Sequence, residues 1–501
     1  TRARIVQRFA AESNASARTL YARALADDGD GTKALQALAA ATRAFPHDTP
    51  LALLEAETLA ANGRGDDALR RLQQVVDADD QDARAWFLLG RTSIQQGQPR
   101  LAVDDYLLRA LVLNTRSGDA AAEAETRNAL GIGYDRLGQP EAAIEQYTRA
   151  AAIRRTLGDA LGLGKTLRNL AVVQAVSGQR DAARTTLNEA EAVLENLHDR
   201  ASVADLYNDR GVIEEESGNL DAALAAYREA LALRQQLGTP NLIAESLDNV
   251  GFSSYQLGRF DDAQVYWEQA LNQYRQLNDA VRQLSVEQNI ALLNIARGNF
   301  AAAQSVLKRT LDQAESRQLT EQASVSYVHL AELALLQGRY EELIARASRA
   351  SQLAMRRGDL RTKAGADLQL IQGDLSLGLA DRARAALDAI DRLPLGAEQR
   401  AGSELARIEL AASERRYRDA TNALDAAAKT AAEAHSGALD MQIRLERVRL
   451  ALATGDRAEA AKQLRSIGQE TSRLNEVPLR LQWLELAIAD ALGNRDGSQA
   501  A

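Results

Sequence analysis

At 501 residues the chain exceeds the length at which one compact core stops growing, so it is either several domains or an array whose core extends along one axis. Ala and Leu dominate, Pro is only 7 of 501, and strand-favouring residues are sparse, with 6 Phe and 3 Trp, so an all-α chain is expected. The net charge of -9 comes from 60 basic and 69 acidic residues mixed along the chain; no basic block exists to neutralise phosphates, so nucleic acid is not an expected partner. No stretch approaches the roughly 18 consecutive apolar residues of a membrane span, so direct membrane insertion of this segment is not expected either.

The chain opens Thr-Arg-Ala-Arg-Ile-Val-Gln-Arg-Phe, without the apolar run of a signal peptide. Its start at Thr1 instead of Met suggests a fragment of a longer protein. Of the 60 basic residues only six are Lys; together with the Ala bias, this looks like a bacterium with a GC-rich genome. The absence of Cys fits that source and permits an oxidising compartment.

Along the chain one pattern recurs: apolar-x-Gly-x-x-x-x-Ala. Its glycines are Gly29, Gly63, Gly97, Gly138, Gly178, Gly218, Gly258, Gly298, Gly338 and Gly378, followed by copies at Arg415 and Gly455. The spacing is 34 at first, then 41, then 40 through Gly378, then 37 and 40. Twelve turns imply about twelve antiparallel helical hairpins. The glycine falls between two helices, where a left-handed residue costs least without a Cβ.

Seven residues before the glycine a small residue lets helix A approach helix B, as at Gly90, Gly131, Ala171, Gly211, Gly251, Ala291 and Ala331. Five residues after it stands an alanine, from Ala34 and Ala68 to Ala460, with Leu343 the exception. Four residues later comes a large side chain such as Tyr147, Tyr227 or Trp267, so these positions share one face of helix B. Tyr147, Tyr227, Tyr266, Trp267 and Tyr274 fall at this packing spacing or beside it.

Trp86-x-x-Leu89-Gly90, followed by Gly97 and Ala102, resembles the tetratricopeptide repeat (TPR) signature, and Pro46 falls where that family often ends its unit. HEAT and armadillo arrays share the period but not the small-residue and alanine ladder. From about Asp119 the units resemble the extended 40-residue variety also found in kinesin light chains, typified by Asn-Ala-Leu-Gly-Ile-Gly-Tyr-Asp-Arg-Leu-Gly at 128–138. The resemblance implies a right-handed superhelical solenoid. Three segments are expected: 1–115 with an N-terminal helix and near-34-residue units, 116–378 with 40-residue units, and 379–501 with degenerate units. In the last, a shortened unit surrounds Pro394 and a capping helix covers Leu479 to Leu492.

In this family helix A lines the concave surface, and the inward residues lie 13, 10, 9 and 6 positions before the turn glycine. Positions 10 and 9 give Asn128-Ala129, Arg168-Asn169, Asn208-Asp209, Asp248-Asn249 and Gln288-Asn289. Asn is a mediocre helix former, yet an amide can both donate to and accept from a peptide backbone. Similarity to peptide-binding TPR proteins therefore implies a peptide-binding groove containing Asn128, Asn169, Asn208, Asp209, Asp248, Asn249, Gln288 and Asn289. Lys165, Arg168, Phe252 and Tyr255 neighbour them on the same stripe. The other reading of the row is a ladder that bridges adjacent hairpins.

No chemistry is expected beside this. Gly162-Leu163-Gly164-Lys165-Thr166 mimics part of a phosphate loop, but Asp159 stands where a Walker motif needs Gly, and no strand precedes it. His47, His198, His329 and His435 are scattered, with no paired metal ligands and no Gly-x-Ser-x-Gly elbow. His329 alone lies on the inward stripe, with Glu332 three residues on. Glu214, Glu215 and Glu216 read as a solvated helix face. The chain is thus expected to be no enzyme and to need no cofactor. It looks like the partner-binding arrays attached to bacterial transmembrane serine/threonine kinases and winged-helix regulators, which would place it in the periplasm. A stand-alone scaffold of a secretion or polysaccharide-export assembly, cytoplasmic or periplasmic, is the alternative.

Overall fold

The computed structural model describes residues 23, 25, 31–393, 395–433, 437–471 and 477–499. Among them are 24 helices and no strand, counting 99–117 as one helix. The expected turn at Gly29 and the residues Pro394 and His435 lie outside the described residues. The chain divides into two compact units, Thr1–Ile213 and Glu214–Ala501, each a stack of antiparallel A/B hairpins. No helix among the described residues is long and apolar enough to cross a membrane.

In unit 1 the A helices are Thr49–Ala61, Ala83–Gln95, Ala120–Arg136 and Ala160–Val176, paired with B helices Gly65–Ala78, 99–117, Pro140–Leu157 and Arg180–Asn196. The next A helix, Arg200–Glu216, carries the unit boundary. In unit 2 the A helices Pro240–Gln256, Ala280–Ala296, Thr320–Leu336, Leu360–Ser376, Ala397–Ser413 and Gly437–Thr454 alternate with B helices that end at Arg457–Thr471. A last helix, Val477–Gln499, spans the Leu479 to Leu492 segment and packs on Arg457–Thr471. Within each unit successive helices pack on one another, and A helices also touch A helices of the next hairpin, so that each unit has its own A face.

The packing ladder is as the repeat spacing predicts. Ala68, Ala102, Ala143, Ala183, Ala223, Ala263, Ala303, Ala383, Ala420 and Ala460 are all fully buried, as is Leu343. Opposite them the small residue is required by contact: a Cβ on Gly131 would lie 2.5 Å from the Tyr147 ring, and one on Gly251 2.7 Å from Trp267. These two glycines let bulky B-helix aromatics be buried against the A-helix backbone.

The change of period has a local explanation. The two 34-residue units have A helices of 13 residues, whereas the 40-residue units have A helices of 17. B helices lengthen from 14 to 17 or 18 residues while the connection to the next hairpin shrinks. The single 41-residue spacing is absorbed by a π-helical turn at Ala102–Leu107. One extra residue moves the buried position from Tyr106, half-exposed, to Leu107, fully buried against Gly90.

A second series of left-handed residues separates successive hairpins: Gly118, Gly158, His198, Gly238, Asn278, Gln318 and Gly358, all with positive φ. It falls midway between the turn glycines. An aspartate usually follows it, and Asp119, Asp159, Asp279 and Asp359 each accept the N–H three residues on, capping the next A helix.

Candidate functional site

The inward stripe of the A helices is polar in both units, but its side chains are spent differently along the chain. In unit 1, Asn128 Oδ1 accepts from Thr166 Oγ1 at 3.1 Å and from Asn169 Nδ2 at 3.4 Å. Thr166 is fully buried and itself accepts from Arg154 at 2.8 Å. Arg154 also donates to the Gly162 carbonyl, so one buried guanidinium ties helix Pro140–Leu157 to the start of helix Ala160–Val176. Burial lowers the Arg154 pKa, against the opposing pull of Asp159 and Glu125. Arg168 pairs with Asp209 at 2.6 Å and Asp205 at 3.3 Å. Asn208 is half-buried, and Lys165 is exposed.

In unit 2, Asn289 Nδ2 donates to Asp248 Oδ1 at 3.0 Å. Burial raises the Asp248 pKa, and the hydrogen bond from Asn289 opposes it. Gln288 is buried, with its amide donating to the Gln322 carbonyl at 2.6 Å and to Ser326 Oγ at 2.7 Å. Asn249 and Phe252 are half-buried. Tyr255 stacks on Phe260 and tilts against Trp267, with ring centroids 5.6 and 5.8 Å apart.

One register underlies these bonds. The amide nine positions before a turn glycine reaches the residue ten before the preceding one, 41 residues back: Asn169 to Asn128 and Asn289 to Asp248. Gln369 does the same toward the Val328 carbonyl at 3.1 Å. Asn169 and Asn289 therefore bridge neighbouring A helices, and all five asparagines of the row are half-buried.

The phosphate-loop mimic is a helix start. Asp159 accepts the Gly162 N–H at 2.9 Å, and a Cβ at Gly164 would meet Leu194 at 2.5 Å, so Gly164 serves close packing. His198 is an inter-hairpin turn residue, and His329 lies 3.5 Å from Glu332. No group of potential metal ligands assembles among the described residues. The Glu214–Glu215 pair is held as well as solvated: Glu215 accepts from Tyr227 and Gln256, each at 3.0 Å, and Glu214 from Asn219 at 2.6 Å.

The repeat pattern alone does not point to the later A helices, yet they line a cleft of about 320 Å³ in unit 2. Glu332, Gln369, Gln372, Glu409 and Arg449, all inward positions, share it with Tyr255; Pro478 and Gln482 of the last helix close one side. That helix packs on Gly437–Thr454 and also touches Ala280–Ala296. Glu409 opens partly into the cleft, and its pKa is pushed up to about 7 by burial and then by Glu446, with Arg449 opposing. Glu446 is itself buried, 3.0 Å from Arg449.

Family models for the tetratricopeptide repeat match residues 25–92 and, for a second model, 162–236 and 242–316. These stretches are tetratricopeptide repeats. Two solved structures share the fold over most of the chain's length. A Rap protein complexed with Competence and Sporulation Factor is 14% identical, with a TM-score of 0.51, over 69% of this chain and 98% of its own. The apo form of RapI is 11% identical with the same TM-score, over 69% and 99%. BtubC (BKLC) from P. vanneervenii, 22% identical, matches 44% of this chain and 92% of its own with a TM-score of 0.37. No curated protein matches the sequence.

Proposed function

We propose that this tetratricopeptide array is a non-catalytic holder of an extended peptide or protein segment, engaged by the polar A face. The observation that carries the reading is the fixed register of amides and carboxylates on the A face within each unit, accompanied in unit 2 by a cleft. Backbone-like donors and acceptors at a regular spacing suit a partner whose own amides repeat regularly. The fold shared with a Rap protein complexed with Competence and Sporulation Factor supports a peptide as the occupant.

We further propose that the array is the sensory or partner-binding region of a bacterial signalling protein of the transmembrane serine/threonine kinase type, placed in the periplasm. The Arg- and Ala-rich extended repeats support this, and the Cys-free composition is compatible with an oxidising compartment.

Selection of a displayed random-peptide library on the purified chain tests the first proposal. Peptides enriched on the parent are expected to lose affinity at least tenfold on Asn169→Ala/Asn208→Ala or on Asn249→Ala/Asn289→Ala. Full affinity in both folded variants would remove the asparagine row from the binding face, and a library yielding no peptide would overturn the holding function. The signalling context fails if the full-length gene encodes neither a membrane span nor a catalytic or DNA-binding domain.

A further inference from the structure

We infer that the cleft of unit 2 receives a basic side chain of the bound partner, its cationic head set between Glu332 and Glu409 and its alkyl stem along Leu335, Leu405 and Leu445. This deepens the peptide-holding reading and rests on it. Gln369, in the cleft wall, spends its amide N–H on the Val328 carbonyl, so it has no donor to give a neighbouring carboxylate.

Glu409, on the next A helix, makes no hydrogen bond or ion pair among the described residues, and its neighbour Arg449 is engaged by Glu446. The cleft thus offers a carboxyl that the protein's own donors leave unserved. Glu332 adds a second carboxylate, touched only by His329 at 3.5 Å among the described residues.

The ligand class follows by elimination. An anion would meet Glu332 and Glu409. A neutral amide would leave the Glu409 carboxylate, ionised above about pH 7, uncompensated in a poorly hydrated site. A lysine or arginine side chain supplies several N–H donors and a positive charge, and its methylenes match the leucine walls. About 320 Å³ holds one such side chain with accompanying water.

The groups that set the charge are few. Helix Thr320–Leu336 contributes His329 and Glu332, helix Ala397–Ser413 contributes Glu409, helix Gly437–Thr454 contributes Glu446 and Arg449, and Pro240–Gln256 contributes the Tyr255 hydroxyl. Raising the pH through about 7 ionises Glu409, so the cation should be held more tightly at pH 8 than at pH 6.

The test uses minimal probes on the whole chain carrying leucine methyl labels. N-acetyl-arginine methylamide, its lysine and norleucine counterparts, and alanine methylamide with a free α-ammonium are titrated while the Leu335, Leu405 and Leu445 methyl signals are followed. The arginine or lysine probe is expected to shift them saturably, more tightly at pH 8 than at pH 6, with norleucine inert. Glu332→Gln/Glu409→Gln should weaken that binding at least tenfold while leucine signals in unit 1 stay in place. Norleucine binding equally well, the α-ammonium probe alone binding, no saturable shift, or unchanged affinity in the double variant would each overturn the assignment. Such a failure leaves peptide selection on the chain untouched, whereas a failed selection with a positive probe titration removes the holding function and keeps the cleft's cation preference.

Discussion

The A face of residues 120–209 and that of residues 320–449 are built on one register and end in opposite states. In the earlier stretch most of the polar groups on and behind the A face serve one another, Arg154 Nε being buried without a hydrogen bond: Asn169 and Thr166 both serve Asn128, Arg154 of the B helix serves Thr166, and Arg168 is held by Asp205 and Asp209. In the later stretch Gln369 still reaches back to the preceding helix, but the Glu409 carboxyl is left to the cleft. A closed polar network stabilises; an open one stores a demand that a ligand can meet. The same repeat thus supplies both frame and site.

The largest expected effect breaks the closed side. Arg154→Ala removes the donor that serves both Thr166 and the Gly162 carbonyl, leaving buried acceptors behind. A loss of about 2–4 kcal/mol in urea unfolding monitored by circular dichroism is expected. A loss under about 0.5 kcal/mol would show that the network does not stabilise this region.

Next is Glu409→Gln, which sharpens the open side. The folded chain holds the Glu409 proton up to about pH 7, above the ordinary 4.5. Between those values the folded state binds more protons than the unfolded one, so stability declines as pH rises through this window and is flat above it. Replacing the carboxyl removes that decline. The variant should match the parent near pH 4 and exceed it at pH 8 by on the order of 1–3 kcal/mol. Equal stability at both pH values would mean that Glu409 is well hydrated.

A smaller effect probes the bridges themselves. Asn169→Ala and Asn289→Ala each remove one inter-helix hydrogen bond and should cost about 0.5–1.5 kcal/mol. Gln372→Ala, on the cleft side, should stay within about 0.5 kcal/mol. A double-mutant cycle between Asn128 and Asn169 should return a coupling of similar size to the single losses; zero coupling would dissolve the bridge.

How much of this was legible in the sequence follows from what repetition can and cannot carry. The alanine ladder and the small residues facing Tyr147 and Trp267 were readable because each recurs at one offset from a glycine. The inter-hairpin turns were readable in principle, from the aspartate after Gly118, Gly158, His198, Asn278 and Gly358, but four residue types share the left-handed position, and a search for glycine alone passes over it. The asparagine row was found, and its 41-residue partners were not, because register between A helices is a property of packing. The cleft was the least legible feature. Its residues come from units whose signature has decayed, and its closing side comes from the last helix, so no single period contains it.

The smallest prediction separates backbone tolerance from ligand approach. Gly365 sits inside helix Leu360–Ser376, at the inward position thirteen before Gly378, and has an ordinary helical φ. A Cβ there meets nothing within 4 Å, unlike those at Gly131 and Gly251. No packing reason for glycine exists, while glycine inside a helix is less stable than alanine by roughly 0.5–1 kcal/mol. Gly365→Ala should therefore raise stability by about that amount, read from the urea midpoint at unchanged slope. If the variant gains stability and yet loses affinity for selected peptides, the bare backbone at Gly365 is a place of close approach by the partner, and the binding face extends past the cleft to the start of that helix. If affinity is unchanged, the occupied surface ends at the Gln369–Glu409 wall.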